Sequence, residues 1–178
     1  MNPIADLRRR LDNMLRPGTI FAVDHVRGRC RVKTGNLLTG DLRYFVGRAG
    51  AVRHHSVPTL GEQCIVISPS GELATGFVLV GLNSDEFPVP SDNPELDSIE
   101  YADGTWMGYD QGNSELTVIL APGGKLILQA PAGVQIAGDV NIVGNVTVTE
   151  DVVAAGISLV SHTHSGVETG SGSTGVPQ

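Results

Sequence analysis

The sequence predicts an all-β protein in two unlike parts: a small closed barrel, then a β-helix that three copies of the chain build together. Three observations predict it. Five short strand-like runs separated by turn residues crowd the stretch from Thr19 to Leu82, a six-residue repeat runs from 138 to 155, and the composition changes sharply between the two. Eleven of the twelve basic residues lie within 1–84 against six acids, a local charge of +5, whereas residues 85–178 hold only Lys125 against thirteen acids, −12. The last of the eight aromatics is Tyr109, so everything beyond it must pack without a Phe, Tyr or Trp.

A length of 178 residues allows one domain or a small domain with an extension, which argues against a multidomain enzyme. With 40% hydrophobic residues some packed structure is expected. The acidic half should repel phosphates, and the front half has no dense basic stripe with interleaved aromatics, so nucleic acid is not the expected partner.

The first element, in the region 1–17, is an amphipathic helix. Asn2 can cap it with Pro3 at its first position, Ile4, Leu7, Leu11 and Leu15 share one face, and Pro17-Gly18 should stop it. Arg8, Arg9 and Arg10 lie on its polar side and read as a solvated or partner-docking face rather than a membrane contact. No signal-peptide run and no stretch of about 18 apolar residues is present, so synthesis as a soluble cytosolic chain is expected.

In the region 18–84, strands are expected at Ile20–Val26, Arg29–Thr34, Leu42–Val46, Gln63–Ser68 and Ala74–Gly81, with Gly28, Gly35, Gly40 and Ser68-Pro69-Ser70-Gly71 supplying turns. Five such strands suggest an OB-fold barrel. They lack the exposed aromatics on which bases would stack, so a structural or docking role is expected of the barrel. Cys30 and Cys64 fall in strands without CxxC spacing and read as small buried side chains, not as a disulfide framework. His25, His54 and His55 read as surface or locally bonded histidines.

Residues 85–115 read as a Pro- and acid-rich linker leading into strands. Its carboxylates Asp97, Glu100, Asp103 and Asp110 lack the DxDxDG spacing of a calcium loop and read as solvated charges.

The region 116–160 carries the repeat. Gly138-Asp-Val-Asn-Ile-Val, Gly144-Asn-Val-Thr-Val-Thr and Glu150-Asp-Val-Val-Ala-Ala align in sixes, and one further unit upstream brings Val134 and Ile136 into phase. Val134, Val140, Val146 and Val152 then form one row and Ile136, Ile142, Val148 and Ala154 a second. Alternate residues of a strand share a face, so each unit is a short strand with two aliphatics on one side, the grammar of a β-helix. A single ribbon would leave that face and both edges in water. Three chains about a threefold axis would bury the aliphatics along it and turn Asn141, Thr147 and Thr149 outward.

The region 161–178 opens on His162-Thr163-His164. Two apart, the histidines share a face in an extended strand, and the axial face if the register shifts through a bend. One chain supplies a weak pair. On a threefold axis the count becomes six imidazoles, which suits an octahedral ion better than tetrahedral zinc.

The order of these parts, with Gly61-Glu62-Gln63-Cys64-Ile65-Val66-Ile67-Ser68-Pro69-Ser70-Gly71-Glu72 closing the barrel and a tail ending Gly175-Val176-Pro177-Gln178, resembles the baseplate assembly protein V family, the central tail spike of contractile-tailed bacteriophages and R-type pyocins. The resemblance spans nearly the whole chain. It implies a homotrimeric needle in a virion or pyocin particle, made in the host cytoplasm and joined to hub or tail-tube proteins. The basic N-terminal end is our expectation for the attachment. The resemblance further implies that the needle is driven through the bacterial outer membrane, its apex holding one structural iron per trimer on His162 and His164 of each chain. Where such spikes carry a proline after the second histidine, this chain has Ser165.

Two other classes fit less well. A hexapeptide-repeat acyltransferase shares the sixfold spacing, but about four hexads make hardly more than one turn of its coil. A receptor-binding fibre or adhesin should carry exposed aromatics or a bulky terminal domain. No nucleophile triad, phosphate loop or hydrolase-like carboxylate pair is found, so no enzyme activity is expected.

Overall fold

The computed structural model describes residues 3–166 and 170–171. Asn2, expected as the helix cap, and the closing Gly175-Val176-Pro177-Gln178 lie outside the described residues. The chain divides into two compact units, Met1–Leu126 and Ile127–Gln178.

In the first unit, helix α1 spans Pro3–Met14. Its C-terminal end is held by the Ser68 amide donating to the Met14 carbonyl at 2.8 Å and by the Asn13 side chain reaching the Gly71 carbonyl at 3.4 Å. Of the three consecutive arginines, Arg9 and Arg10 each pair with Asp6 at 2.8 Å along the helix surface. Strand β1 (Leu15–Asp24) follows without a loop. Pro17-Gly18, expected to end the helix, therefore lie inside a strand: Pro17 is opposite Ile65 and Gly18 opposite Cys64. A Cβ at position 18 would strike the Val32 side chain and approach the Lys33 carbonyl to 2.8 Å, so only glycine lets β1 pass this close.

The remaining strands of the barrel are β2 (Arg29–Thr34), β3 (Leu37–Leu38), β4 (Leu42–Tyr44), β5 (Gln63–Ile67) and β6 (Phe77–Leu82). They are joined in the order β1-β5-β6-β4-β2, with β2 pairing back onto β1 to close the ring and β3 folded onto β2. The β4–β6 pairing is parallel and the rest are antiparallel. This is a closed five-strand OB-like barrel, as expected. Of two short 3-10 turns, Pro69–Gly71 falls at the expected turn and Leu73–Thr75 takes the first residues of the stretch expected as the last strand.

The barrel core is Ile20, Cys30, Val32, Leu42, Cys64, Val66 and Val78. Alternation places Cys30, Val32 and Thr34 of β2 inward. Burial pushes the Cys30 thiol up to about 11 and the Cys64 thiol up to about 12. Both are unbridged, small interior side chains.

The expected linker is more ordered than its composition suggests. Strands β7 (Leu96–Glu100), β8 (Trp106–Asp110) and β9 (Glu115–Ile119) form an antiparallel meander. The carboxylates there are structural. Asp103 accepts the Thr105 amide at 2.8 Å, and Asp110 accepts the Gly112 and Asn113 amides at 2.9 and 3.1 Å, closing the two turns. Those bonds hold both carboxyls below the usual aspartate range. Asp97 and Glu100 stand in β7 itself.

In the second unit, the hexads run as irregular extended chain that bends at Gly138 and Gly144, where φ is 138° and 140°. The same backbone conformation thus recurs at six-residue spacing, in a region of φ that glycine supplies without strain. Between 127 and 152 the described residues form no strand ladder within the chain. A short hairpin, β10 (Val153–Ala154) and β11 (Ile157–Ser158), follows.

Candidate metal centre at the C-terminal apex

The hairpin that leads to the histidines turns through Ala155 and Gly156, both at positive φ, 51° and 84°. Two left-handed central residues make the tight turn that matches the twist of paired strands, and Val153 falls opposite Ser158, Ala154 opposite Ile157. The Leu159 amide extends the ladder to the Val152 carbonyl at 3.0 Å. Asp151 ties the hairpin's outer ends together, accepting the Val152 amide at 2.8 Å and the Val160 amide at 3.2 Å. The Ser158 hydroxyl, ahead of those amides, holds the Asp151 carboxyl below its usual range.

Ser158 also redirects the chain. Its hydroxyl accepts the Val160 and Ser161 amides at 3.2 and 2.9 Å and the Ser161 hydroxyl at 2.8 Å. Its carbonyl accepts the His162 amide at 3.2 Å and meets His162 Nδ1 at 2.8 Å. The chain therefore reaches His162 through a hydrogen-bonded turn, not along an extended strand. The His162 and His164 rings stand edge to face, centroids 5.2 Å apart with planes at 77°, and both side chains line one open cleft with Ser158 and Ser161.

A carbonyl oxygen can only accept, so the contact calls for a proton on His162 Nδ1, and in the neutral ring that tautomer leaves the Nε2 lone pair for a ligand. A backbone carbonyl on the far nitrogen is the orienting contact that metal-bound histidines commonly have. Ser158 was not among the residues singled out by sequence. The signal was present as a serine two and three residues ahead of the amides it accepts.

One chain alone does not complete a centre: among the described residues no group of three or more His, Cys, Asp and Glu gathers. Upstream, Val134, Ile136, Val140, Ile142, Val146, Val148 and Val152 are all exposed in the single chain, from 40% at Val152 to 66% at Ile136. They do not cover one another. A self-stacked coil of the acyltransferase kind would have paired these segments within the chain.

Comparison with known proteins adds three findings. Residues 16–82 match the Type VI secretion system/phage-baseplate injector OB domain. Residues 156–178 match the GpV Apex motif, which takes in both histidines. The chain is also 41% identical over 115 residues to the "Spike protein" of Escherichia phage P2, an alignment covering 65% of this chain and 54% of that one. The chain thus spans about half the length of the curated relative it matches.

Proposed function

We propose that this chain, which matches a phage-baseplate injector OB domain and the GpV Apex motif and is similar to a phage spike protein, is the membrane-piercing tip of a contractile tail, a homotrimer whose apex is tied by iron. The observation that carries this reading is the row of uncovered aliphatics from Val134 to Val152 leading to the His162–His164 pair. An apolar row left in water by one chain is satisfied when identical chains wind about a common axis.

The residues fit a structural ion. His162 Nε2 is presented by the Ser158 carbonyl, and His164 lies beside it. Two imidazoles from each of three chains supply a full nitrogen set for an octahedral ion, and when bound the metal contributes a crosslink between chains rather than reactivity. His162 and His164 hold the chain ends together, the Ser158 turn aims the rings, and the hairpin anchored by Asp151 resists fraying. With every ligand position filled by protein, no position is open for catalysis. Puncture is mechanical, directed at the bacterial outer membrane. The barrel end, with α1, is the attachment to hub or tube proteins in the baseplate, and the protein resides in a virion or pyocin tail.

Metal analysis and light scattering of the purified chain test this. A trimer carrying about one iron, lost in His162→Ala while the trimer persists, is the expected outcome. A monomer, or a trimer whose iron is unaffected by both His162→Ala and His164→Ala, refutes it.

A further inference from the structure

One face of the meander carries a cleft that neither the barrel nor the apex uses. Directly opposed residues of antiparallel strands point the same way, so the rows Leu96–Asp110–Glu115, Ser98–Gly108–Thr117 and Glu100–Trp106–Ile119 share that face. Gly108 is buried in the middle row, and the Trp106 ring reaches over it: a Cβ there would stand 2.7 Å from the ring's Cζ2 and Cη2. Ile119, opposite Trp106, is 56% exposed and extends the apolar end. Ser91 and Asn93, from the segment before β7, join Trp106, Asp110 and Glu115 in lining an open cleft of about 340 Å³. That is the small end of the range of ligand pockets, ~300–1,000 Å³.

The polar end of the cleft is ordered by the chain itself. Asp110 accepts the side-chain amides of Asn93 and Asn113 at 3.4 and 3.0 Å, and Glu115 accepts the Thr117 hydroxyl through Oε1 at 2.7 Å. Each asparagine commits one amide hydrogen to Asp110 and keeps a second, and Glu115 keeps its other oxygen. Donors and an acceptor therefore stand beside an apolar wall, held in place before a ligand arrives.

This lining discriminates among ligand classes. An anion meets the carboxylates of Asp110 and Glu115 and is repelled. A metal ion lacks ligands: Asp110 is committed to the Gly112 and Asn113 backbone amides and to both asparagine side chains, and among the described residues no group of three or more His, Cys, Asp and Glu gathers. A wholly apolar molecule would strand the amides without partners. A neutral sugar ring satisfies both ends, because its hydroxyls donate as well as accept and its C–H faces pack on an indole.

We infer that this cleft binds a neutral glycan of hexopyranose units, with Trp106 and Ile119 as the apolar wall and Asn93, Asn113 and Glu115 as the hydroxyl contacts. The bacterial surface, at which the proposed function directs this chain, is the source of the glycan. The site lies within one chain and depends on neither the homotrimer nor the apex ion.

Trp106 is the single tryptophan of the chain, so its fluorescence reports this cleft directly. The full-length protein is titrated with neutral oligosaccharides of glucose, galactose and mannose and with the deacylated polysaccharide of outer-membrane lipopolysaccharide. A uronic-acid oligosaccharide and tetralysine serve as comparators. A saturable change in emission with at least one neutral glycan is expected. Glu115→Gln should weaken that binding at least about tenfold, and Asn113→Ala likewise, with the emission of the unliganded protein unchanged as the sign of an intact meander. No saturable change with any neutral glycan overturns the inference. A response to the uronic acid alone overturns it too, and a response to tetralysine alone does so by making the cleft a contact for a basic protein. Affinities of both variants within about twofold of the parent protein overturn the assignment to this cleft. None of these outcomes touches the trimer or its iron, so the proposed function stands or falls separately.

Discussion

Shortening Ile142 to alanine separates a shared core from a surface stripe by magnitude alone. In the single chain Ile142 is 58% exposed and its neighbour Val143, pointing the other way, 95%. If the chain acts alone, both Ile142→Ala and Val143→Ala are surface changes within about 0.5 kcal/mol. If three chains enclose Ile142, the deletion costs about 2–5 kcal/mol per chain, because a buried side chain loses its transfer energy and leaves a cavity. Three copies raise that to roughly 6–15 kcal/mol per trimer, while Val143→Ala stays near zero. Guanidinium unfolding at two protomer concentrations measures it, since a trimer's midpoint rises with concentration and a monomer's does not. Equal small shifts for the two variants would refute the axial assignment of the whole row.

Two further outcomes follow from the charge states of named groups. Cys30 and Cys64, their thiols pushed up to about 11 and about 12 by burial, should resist a thiol-specific disulfide reagent at pH 8 and react only on unfolding; rapid labelling of the native barrel would contradict their place in its core. Asp103, Asp110 and Asp151 have folded pKa values lowered from the ordinary 3.8, so the unfolded chain takes up their protons first. Their stabilisation is complete above about pH 4 and is lost as pH falls through the lower folded values. Trp106 fluorescence should report loosening of the meander below that point, and Asp110→Asn should weaken the dependence.

The barrel was legible because its signals are local. Strand-like runs gave the strands, turn residues marked the corners, and Cys30 and Cys64 read as the small buried side chains they are. The misread boundary at Pro17-Gly18 has a tertiary cause. A Pro-Gly pair after a helical pattern reads as a stop, but β1 accepts it because Gly18 lets the strand pass beneath Val32. The meander was hidden by its acids, which read as solvated charge until Asp103 and Asp110 are seen closing turns.

Sequence by itself determined the hexad phase, the aliphatic rows and the two histidines, since a period of six and a spacing of two are properties of the chain alone. Only the folded chain decided that those rows find no cover within it and that the Ser158 carbonyl, at the end of a hydrogen-bonded turn, orients the His162 ring. The reason is that periodicity states which side chains point together, whereas burial and hydrogen bonding depend on what the rest of the polypeptide brings opposite them.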